Sequence, residues 1–378
     1  MVTNMKKRIL FFITSLDGGG AEKVLVNMVN NLDQSKYDIT VQTLFDQGIN
    51  KQYLKKTINY QYCFKKVFRG NIHLFKLFNP KYLYKKFIKE DYDIVVSYFQ
   101  GATTRIIAGC PKTQVKLVQW IHNEFKDKKQ LLNCYRSENE FINLQKRYDA
   151  TVYVAETSKE AYHRLFPNLI TNNHILYNVV EVDRILELSN EFEEEIIKND
   201  EYLNLISVGR LVPQKAFDRL IRIMNRCVNE DKKSIKLFLL GTGYLEKELK
   251  DLVCKYKLEN SVIFLGYNTN PYKFVKKADL FVCSSLHEGF STAVTESLIV
   301  GTPVITTECS GMRELLGEKQ EYGIITSNNE DDLYMSLSNL INNPIKIDAL
   351  KEKAIERGKM FSVEERVSKI ESFFDQMV

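Results

Sequence analysis

Two glutamates separated by seven residues, Glu288 and Glu296, form the most specific chemical pattern in this sequence. The first follows a predicted strand, and the second falls in the second turn of a helix that Gly301 is predicted to end. Amides at a helix N-terminus attract phosphate, and carboxylates accept hydrogen bonds from sugar hydroxyls. The pattern therefore suits a nucleotide-sugar better than a bare nucleotide, with two solvated helix-end glutamates as the alternative. The turn between them contains Gly289, Phe290, Ser291 and Thr292, and Ser291 or Thr292 is predicted to cap the helix.

A pair of cations follows the predicted strand 203–208. Gly209 and Arg210 end this strand, and Lys215 lies five residues beyond the arginine. A departing diphosphate carries negative charge, which an arginine fork and a lysine point charge are suited to stabilise. A surface Arg–Lys pair without such a role is the alternative interpretation.

A glycine-rich turn follows the first predicted strand. Gly19 and Gly20 precede a helical pattern, so the backbone there can turn tightly and approach a ligand closely. A dinucleotide site would need a glycine where Lys23 stands. Because Asp46 is placed to imitate the ribose-binding acid, this half of the chain alone does not exclude a dehydrogenase. A plain tight turn is the other possibility.

His122 follows the predicted strand 116–121, at the carboxyl edge where α/β proteins place their ligands. A lone histidine is more often a structural residue, so His122 does not define a site by itself. Its assignment depends on the motifs of the second half.

Gly209-Arg210, Lys215, Glu288 and Glu296 occur in the order and spacing that resemble the motifs of the family 4 glycosyltransferases, retaining enzymes of GT-B fold. The resemblance covers nearly the whole chain and is looser in the first half. It implies sugar transfer from a nucleotide-diphosphate sugar, most often UDP-linked, without a metal or other cofactor. It is imperfect at Ala216 and Tyr244, where the family usually has glycine and proline.

The same resemblance implies a role for each candidate residue. Arg210 and Lys215 would stabilise the diphosphate, Glu288 would position the donor sugar, Glu296 would bind the ribose, and His122 would hold the sugar from the first domain. The other residues implied in donor binding are Gly19, Gly20, Gly209, Gly241, Gly243, Gly289, Phe290, Ser291 and Thr292.

Strand-like runs alternate with helical patterns, which predicts α/β layers with mainly parallel sheets. Together with the resemblance, this gives a GT-B fold of two Rossmann-like, doubly wound domains facing across a cleft. The expected bounds are 1–180 for the acceptor-side domain, 181–362 for the nucleotide-sugar domain and 363–378 for a helix that crosses back to the first. An acidic stretch, 187–201, is predicted to be exposed near the junction. The predicted strands are 9–15, 38–45, 94–98, 116–121, 150–154, 203–208, 236–240, 261–265, 280–283 and 303–306.

Length and composition set further bounds. The 378 residues suit two domains, and a hydrophobic content of 44% indicates a globular protein. No apolar run approaches the ~20 residues that cross a bilayer, and the apolar segment after Met5 is predicted to be a buried strand rather than a signal peptide. Seven scattered cysteines without a C-x-x-C pair predict a reducing compartment, the cytoplasm, and no zinc site. Asp91 and Asp93 form a D-x-D, but they precede a strand, so no metal is predicted.

The segment 51–90, which we call the basic segment, holds eleven lysines and arginines against one acid, with aromatic residues interleaved throughout. Such a surface suits nucleic acid or an anionic membrane. Because no nucleic-acid fold motif accompanies it, we predict a membrane surface and no nucleic acid, which fits a lipid-linked oligosaccharide acceptor. An ordinary solvated face over buried aromatics is an equal alternative.

Two rival functions share the predicted fold. A catalytically silent binding subunit would usually lose part of the charge set, which is complete here. A nucleotide-sugar epimerase would need no acceptor, so product analysis without acceptor separates it from a transferase.

Overall fold

The computed structural model describes residues 5–169, 171–191 and 201–378. Within the acidic stretch 187–201, residues 192–200 lie outside the described residues. The first residues of this stretch, up to Ser189, form the end of a helix. The chain divides into two units. Unit 1 comprises residues 1–179 and 363–378, and unit 2 comprises residues 180–362.

Unit 1 is built on a parallel sheet whose described strands lie in the order β3-β2-β1-β4-β5-β6-β7. These strands are β1 (Lys7–Ile13), β2 (Tyr37–Phe45), β3 (Asn59–Phe64), β4 (Ile94–Ser97), β5 (Lys116–Ile121), β6 (Ala150–Tyr153) and β7 (Asn173–Ile175). The helices are α1 (Gly20–Asn31), α2 (Asn71–Leu77), α3 (Pro80–Phe87), α4 (Ala102–Ile107), α5 (Lys128–Leu132), α6 (Glu138–Gln145) and α7 (Glu156–Leu165). A short 3-10 helix covers Ile49–Tyr53.

Unit 2 has a second parallel sheet, with its described strands in the order β10-β9-β8-β11-β12-β13. These strands are β8 (Leu203–Val208), β9 (Ile235–Leu240), β10 (Val262–Gly266), β11 (Leu280–Cys283), β12 (Val304–Thr307) and β13 (Ile324–Thr326). The helices are α8 (Val182–Ser189), α9 (Phe217–Asn225), α10 (Glu246–Lys255), α11 (Tyr272–Lys277), α12 (Thr292–Ile299), α13 (Met312–Leu316), α14 (Glu330–Ile341) and α15 (Pro344–Gly358). Pro213–Lys215 forms a 3-10 turn.

The central strands are mostly apolar because both faces of a parallel sheet are covered by helices. In β4, for example, every residue from Ile94 to Ser97 is buried. All ten predicted strands are present, with bounds that differ by no more than two residues. The three strands that the sequence analysis did not predict, β3, β7 and β13, each lie at the edge of a sheet. β3 is at most half-buried, and β7 and β13 are only three residues long, so their sequences carry a weak strand signal.

The last helix, α16 (Val363–Met377), packs on unit 1. The Phe374 ring makes edge contacts with Phe11 and Tyr37, at centroid distances of 5.9 and 6.3 Å. Asp375 accepts hydrogen bonds from the Tyr37 hydroxyl (2.8 Å) and from the Lys7 ammonium (3.1 Å). The Phe374 ring, as an aromatic anchor, and the two hydrogen bonds of Asp375 therefore hold α16 against β1 and β2.

Phe374→Ala is expected to lower the free energy of unfolding by about 3–5 kcal/mol, because it removes a fully buried ring from a packed core. Chemical denaturation measures this change. Gln376→Ala, on the exposed side of the same helix, is the matched control and should lie within about 0.5 kcal/mol of wild type. Equal midpoints for Phe374→Ala and wild type would show that α16 does not depend on this anchor.

Candidate active site

The sheet order of unit 2 brings three loops together at the carboxyl ends of its strands, which we call the carboxyl edge of the sheet. Strands β9, β8 and β11 are neighbours and run parallel, so the chain leaves all three at the same end. The loop after β8 carries Lys215, the loop after β9 begins at Gly241, and the loop after β11 carries Glu288. This is the edge at which open α/β sheets bind ligands.

Lys215 and Glu288 form a largely buried ion pair at this edge. The Lys215 Nζ lies 2.6 Å from Oε1 of Glu288, and the Glu288 side chain is only 8% exposed. The same oxygen accepts a hydrogen bond from the Ser285 hydroxyl at 2.6 Å. Burial disfavours the Lys215 ammonium, but the nearby carboxylate outweighs burial, and the pKa of Lys215 is raised above its ordinary value. Lys215 is therefore a fixed positive charge.

The backbone at Ala216 explains why a glycine is usual at this position. Ala216 has φ 48° and ψ 46°, a left-handed conformation that costs an L-residue about 1–2 kcal/mol and that glycine adopts freely. The Ser284 hydroxyl donates to the carbonyl oxygens of Lys215 (2.8 Å) and Ala216 (3.3 Å). These bonds anchor the turn that presents the lysine, so alanine is accommodated here without loss of the Lys215–Glu288 pair.

The glycines near Lys215 allow backbone segments to pack closely. A Cβ added to Gly209 would lie 3.1 Å from the Lys215 stem, so the lysine lies over this residue. A Cβ on Gly241, where φ is 143°, would lie 1.9 Å from the Gly209 carbonyl oxygen. A Cβ on Gly243 would lie 2.3 Å from the Leu211 carbonyl oxygen. Arg210 itself is exposed, and its charge is one of the smaller influences on the pKa of Lys215.

Helix α12 begins beside the same charged site. Ser291 is the N-cap, and its hydroxyl accepts a hydrogen bond from the Val294 amide at 3.4 Å. A small, partly open cavity is lined by Lys215 and Ser285 and also by Ser291 and Ala293 at the helix start. Thr292 is the first residue of the helix and Glu296 lies in its second turn, 8% exposed. The cation and the helix N-terminus thus meet at one cavity, an arrangement that attracts an anion.

Two positions that the sequence analysis did not identify support Glu288. The Ser285 hydroxyl donates a hydrogen bond to the Glu288 carboxylate. Gln214 holds the same loop twice. Its side-chain amide donates to the His287 carbonyl at 2.9 Å, and its backbone carbonyl accepts from the Leu286 amide at 2.8 Å. The one available signal was the position of Ser285, just beyond the end of a buried strand. The partners of Gln214 lie about seventy residues away in the chain, so no local pattern indicates them.

Gly289 and Phe290 lie just before α12, and Gly301 lies just after it. Phe290 is 7% exposed, and a Cβ on Gly311 would lie 2.8 Å from the Gly289 carbonyl oxygen, so the turn is closely packed. Gly301, with φ 81°, follows Val300, the C-cap residue of α12, and so lies at the end of this helix as predicted.

The remaining candidates, His122, Gly19 and Gly20, belong to unit 1. Gly19 is the N-cap residue of α1 and Gly20 its first residue, and a Cβ on Gly19 would collide with the Glu22 carboxylate at 2.2 Å. The His122 imidazole packs against Tyr98 and Phe99, with ring centroids 4.5 and 6.2 Å away. Its Nε2 is buried without a hydrogen-bond partner among the described residues. A buried, unpartnered imidazole nitrogen is a ready contact for a ligand hydroxyl.

Burial lowers the pKa of His122 to about 3, against about 6.5 in an unfolded chain. Between these values the unfolded chain binds a proton that the folded protein does not. His122 is therefore expected to reduce stability as the pH falls below about 6.5, with a slope of at most ~1.4 kcal/mol per pH unit. Denaturation of wild type and His122→Asn from pH 7 to 4 measures this, and the variant should show the flatter dependence. Parallel curves would mean that His122 is not buried in its neutral form.

In the described part of the chain, no group of three or more His, Cys, Asp or Glu side chains is close enough together to hold a metal ion. In the D-x-D segment, Asp91 pairs with Lys112, and Asp93 accepts a hydrogen bond from the Arg8 amide at 2.8 Å. Both carboxylates thus have partners within unit 1. All seven cysteines are free.

The fold of this chain is that of the GT-B glycosyltransferases. The crystal structure of Anabaena Alr3699/HepE in complex with UDP and glucose superposes with a TM-score of 0.77 at 19% identity, covering 97% of this chain and 99% of that one. The predicted fold class is therefore confirmed.

Sequence comparison identifies the family. The family described as Glycosyltransferase Family 4 matches residues 18–184, and that described as Glycosyl transferases group 1 matches residues 189–358. The chain belongs to the family 4 glycosyltransferases.

Two relatives illustrate the range of the family. An uncharacterized glycosyltransferase of Methanocaldococcus jannaschii is 32% identical over 261 residues, covering 64% of this chain and 62% of the relative. The Campylobacter jejuni N-acetylgalactosamine-N,N'-diacetylbacillosaminyl-diphospho-undecaprenol 4-alpha-N-acetylgalactosaminyltransferase is 28% identical over 373 residues, covering 94% and 96%.

Proposed function

We propose that this protein is a retaining glycosyltransferase that moves a sugar from a UDP-linked donor to a lipid-linked or envelope polysaccharide acceptor without a metal. The observation that carries the proposal is the buried Lys215–Glu288 pair at the cavity where α12 begins. Sugar transfer from a diphosphate needs a cation for the leaving group and a carboxylate for the electron-poor sugar. This pair supplies both charges from fixed positions.

The donor would bind along the carboxyl edge of the unit 2 sheet. Lys215, Arg210 and the first amides of α12 would hold the diphosphate, and Glu296 would accept hydrogen bonds from the ribose hydroxyls. The close packing at Gly209, Gly241 and Gly243 leaves backbone rather than side chains around Lys215. A UDP donor is supported by the UDP bound to the Anabaena protein of the same fold.

The proposed transfer takes place on one face of the sugar. The acceptor hydroxyl oxygen bonds to the anomeric carbon as the bond to the diphosphate oxygen breaks, and that departing oxygen takes the acceptor proton. Lys215 and Arg210 stabilise the diphosphate charge, while Glu288 offsets the positive charge on the sugar. His122 would hold a donor-sugar hydroxyl through its uncharged imidazole.

A screen of donors tests this proposal. Thermal shift with UDP, GDP, ADP and their common sugars should single out one UDP-sugar, because bound ligand stabilises the folded protein. Incubation of that sugar with extracted lipid-linked oligosaccharide should then give a product whose anomeric configuration, measured by NMR, matches that of the donor. An inverted product would refute the retaining mechanism, conversion of the donor without acceptor would indicate an epimerase, and binding without any product would indicate a silent subunit.

The basic segment supports a lipid-linked acceptor at the cytoplasmic face of the membrane. The structure divides its aromatics: Phe75, Tyr84 and Phe87 are in the core of unit 1, whereas Phe78 and Tyr82 are 39% and 50% exposed and stack on each other. Beside them the exposed apolar residue Leu77 is 73% accessible, and α3 carries Lys81, Lys85 and Lys86. Within the described residues no helix is long and apolar enough to cross a bilayer. We propose that this surface rests on anionic lipid.

The protein is accordingly expected to bind vesicles of anionic lipid in sedimentation assays, less tightly as salt rises. Replacing Lys81, Lys85 and Lys86 with glutamine should weaken binding on the order of 100-fold at low salt, since each basic residue contributes about 1 kcal/mol. Lys247→Gln with Lys250→Gln and Lys255→Gln, on α10 in unit 2, is the control with the same change in charge. Equal loss in both triple variants would show that net charge, not this surface, drives binding.

A further inference from the structure

The side-chain amide of Asn328, just beyond β13, joins three loops at the carboxyl edge of the unit 2 sheet. Its Nδ2 lies 2.9 Å from the carbonyl oxygen of Leu286, 3.1 Å from that of Glu308 and 3.4 Å from that of Ser285. Ser285 in turn donates to the Glu288 carboxylate. One side chain therefore ties the loop that carries Glu288 to the loops after β12 and β13.

Arg219 fixes which end of this amide faces the carbonyls. Its Nη1 donates to the Asn328 Oδ1 at 3.1 Å. A guanidinium has five donors and no acceptor, so the amide oxygen must face the arginine. The Nδ2 group is then turned towards Ser285, Leu286 and Glu308, which is the orientation that holds the loop.

The position of Arg219 is costly for a cation, and burial lowers the pKa of its guanidinium. It is 5% exposed and lies in the first turn of α9, where the helix dipole disfavours a cation. The charges of Asp218 and Glu330 favour the Arg219 cation, but both acids form their hydrogen bonds with Arg222 instead. Among the described residues, the Arg219 Nη2 has no hydrogen-bond partner. A buried cation that forms no ion pair lowers stability, which points to a role in geometry rather than in stability.

We infer that Arg219 and Asn328 are positioning residues that hold the 285–288 loop, and thereby the Glu288 carboxylate, in the geometry for sugar transfer. The inference rests on the function proposed above. Neither side chain needs to touch the donor, because each acts through the backbone of the loop. A displacement of about 1 Å at a reacting group can cost about 100-fold in rate.

The test uses Asn328→Asp in the full-length protein. Aspartate keeps an oxygen for Arg219 but offers no donor to the three carbonyls, so it should release the loop while the fold is retained. We expect kcat for the UDP-sugar selected by the donor screen to fall about 100-fold, with the Kd for UDP changed by less than about threefold. Arg219→Met should behave alike, and Arg219→Lys, still a donor only, should recover most of the rate. Arg226→Met, which removes a cation bound to Asp331 and Tyr334, is the control.

Amide hydrogen exchange provides a readout that does not depend on catalysis. Exchange at Leu286, His287 and Glu288 should be faster in Asn328→Asp than in wild type, with exchange in β11 itself unchanged. If wild type transfers no sugar, the proposed function fails, yet exchange still tests the positioning role. Wild-type exchange at these three amides, or a Kd for UDP that rises in step with the loss of kcat, would overturn the inference.

Discussion

Lys215→Met is expected to lower kcat by about 100- to 1,000-fold, the range seen when one preorganised group that stabilises a transition-state anion is removed. Methionine keeps most of the stem that packs over Gly209, so the change isolates the charge. An ammonium has three donors, and one of them already binds Glu288, so the others remain for the diphosphate. A steady-state assay with the selected UDP-sugar measures the effect.

The same variant should also lose about 3–5 kcal/mol of unfolding free energy, because the buried Glu288 carboxylate loses its cation. A double-mutant cycle separates the two effects. Lys215→Met with Glu288→Gln leaves no uncompensated charge, so stability should return to within about 1 kcal/mol of wild type. Turnover should stay low, since both groups that act on the donor are gone.

The control for the Lys215 variant is Lys236→Met on β9, where the lysine is half-buried and stacks over Tyr202. It removes the same charge from unit 2 and should leave kcat near wild type. A Lys215→Met protein with turnover within about fivefold of wild type would refute the assignment of Lys215 to the leaving group. Full additivity in the double-mutant cycle would show that the ion pair is not coupled in solution.

Gly241→Ala is expected to cost about 3 kcal/mol or more in unfolding free energy and to abolish measurable UDP binding. The new Cβ would lie 1.9 Å from the Gly209 carbonyl oxygen, a backbone atom that a side-chain rotation cannot move away. The φ of 143° adds strain that only glycine avoids. The loop after β8 must shift to relieve the contact, and this loop carries Arg210 and Lys215.

Gly70→Ala is the matched control for this substitution. Gly70 also has a positive φ, 79°, but a Cβ there would meet nothing within 4 Å. Its cost should be the backbone term alone, about 1–2 kcal/mol, with UDP binding retained. Denaturation curves and UDP titration calorimetry on both variants measure the difference. Equal costs for the two would show that backbone strain, not the contact with Gly209, explains the effect.

Much of the fold was predictable because the central strands are mostly apolar and buried. Both faces of a parallel strand are covered, so β4, β5 and β11 are recognisable without any knowledge of their partners. The edge strands β3, β7 and β13 were missed because β3 is at most half-buried and the other two are only three residues long. Their pairing with one neighbour, rather than their own composition, makes them strands.

In the candidate site, too, local features could be predicted from the sequence and long-range contacts could not. Ser291 as the cap of α12 and Glu296 in its second turn were predictable, because capping and helical spacing are local. The contacts of Gln214, Arg219 and Asn328 were not, because their partners are 20 to 109 residues away in the chain. The left-handed backbone at Ala216 could not be predicted either, since alanine does not indicate such a conformation.

By itself, the sequence determined the alternation of strands and helices and the order of the charged motifs, since local periodicity and capping encode both. Only the tertiary structure decided that Lys215 neutralises Glu288 and that Arg219 orients Asn328. The register of neighbouring parallel strands sets those distances, and register depends on packing across a whole sheet rather than on any short segment.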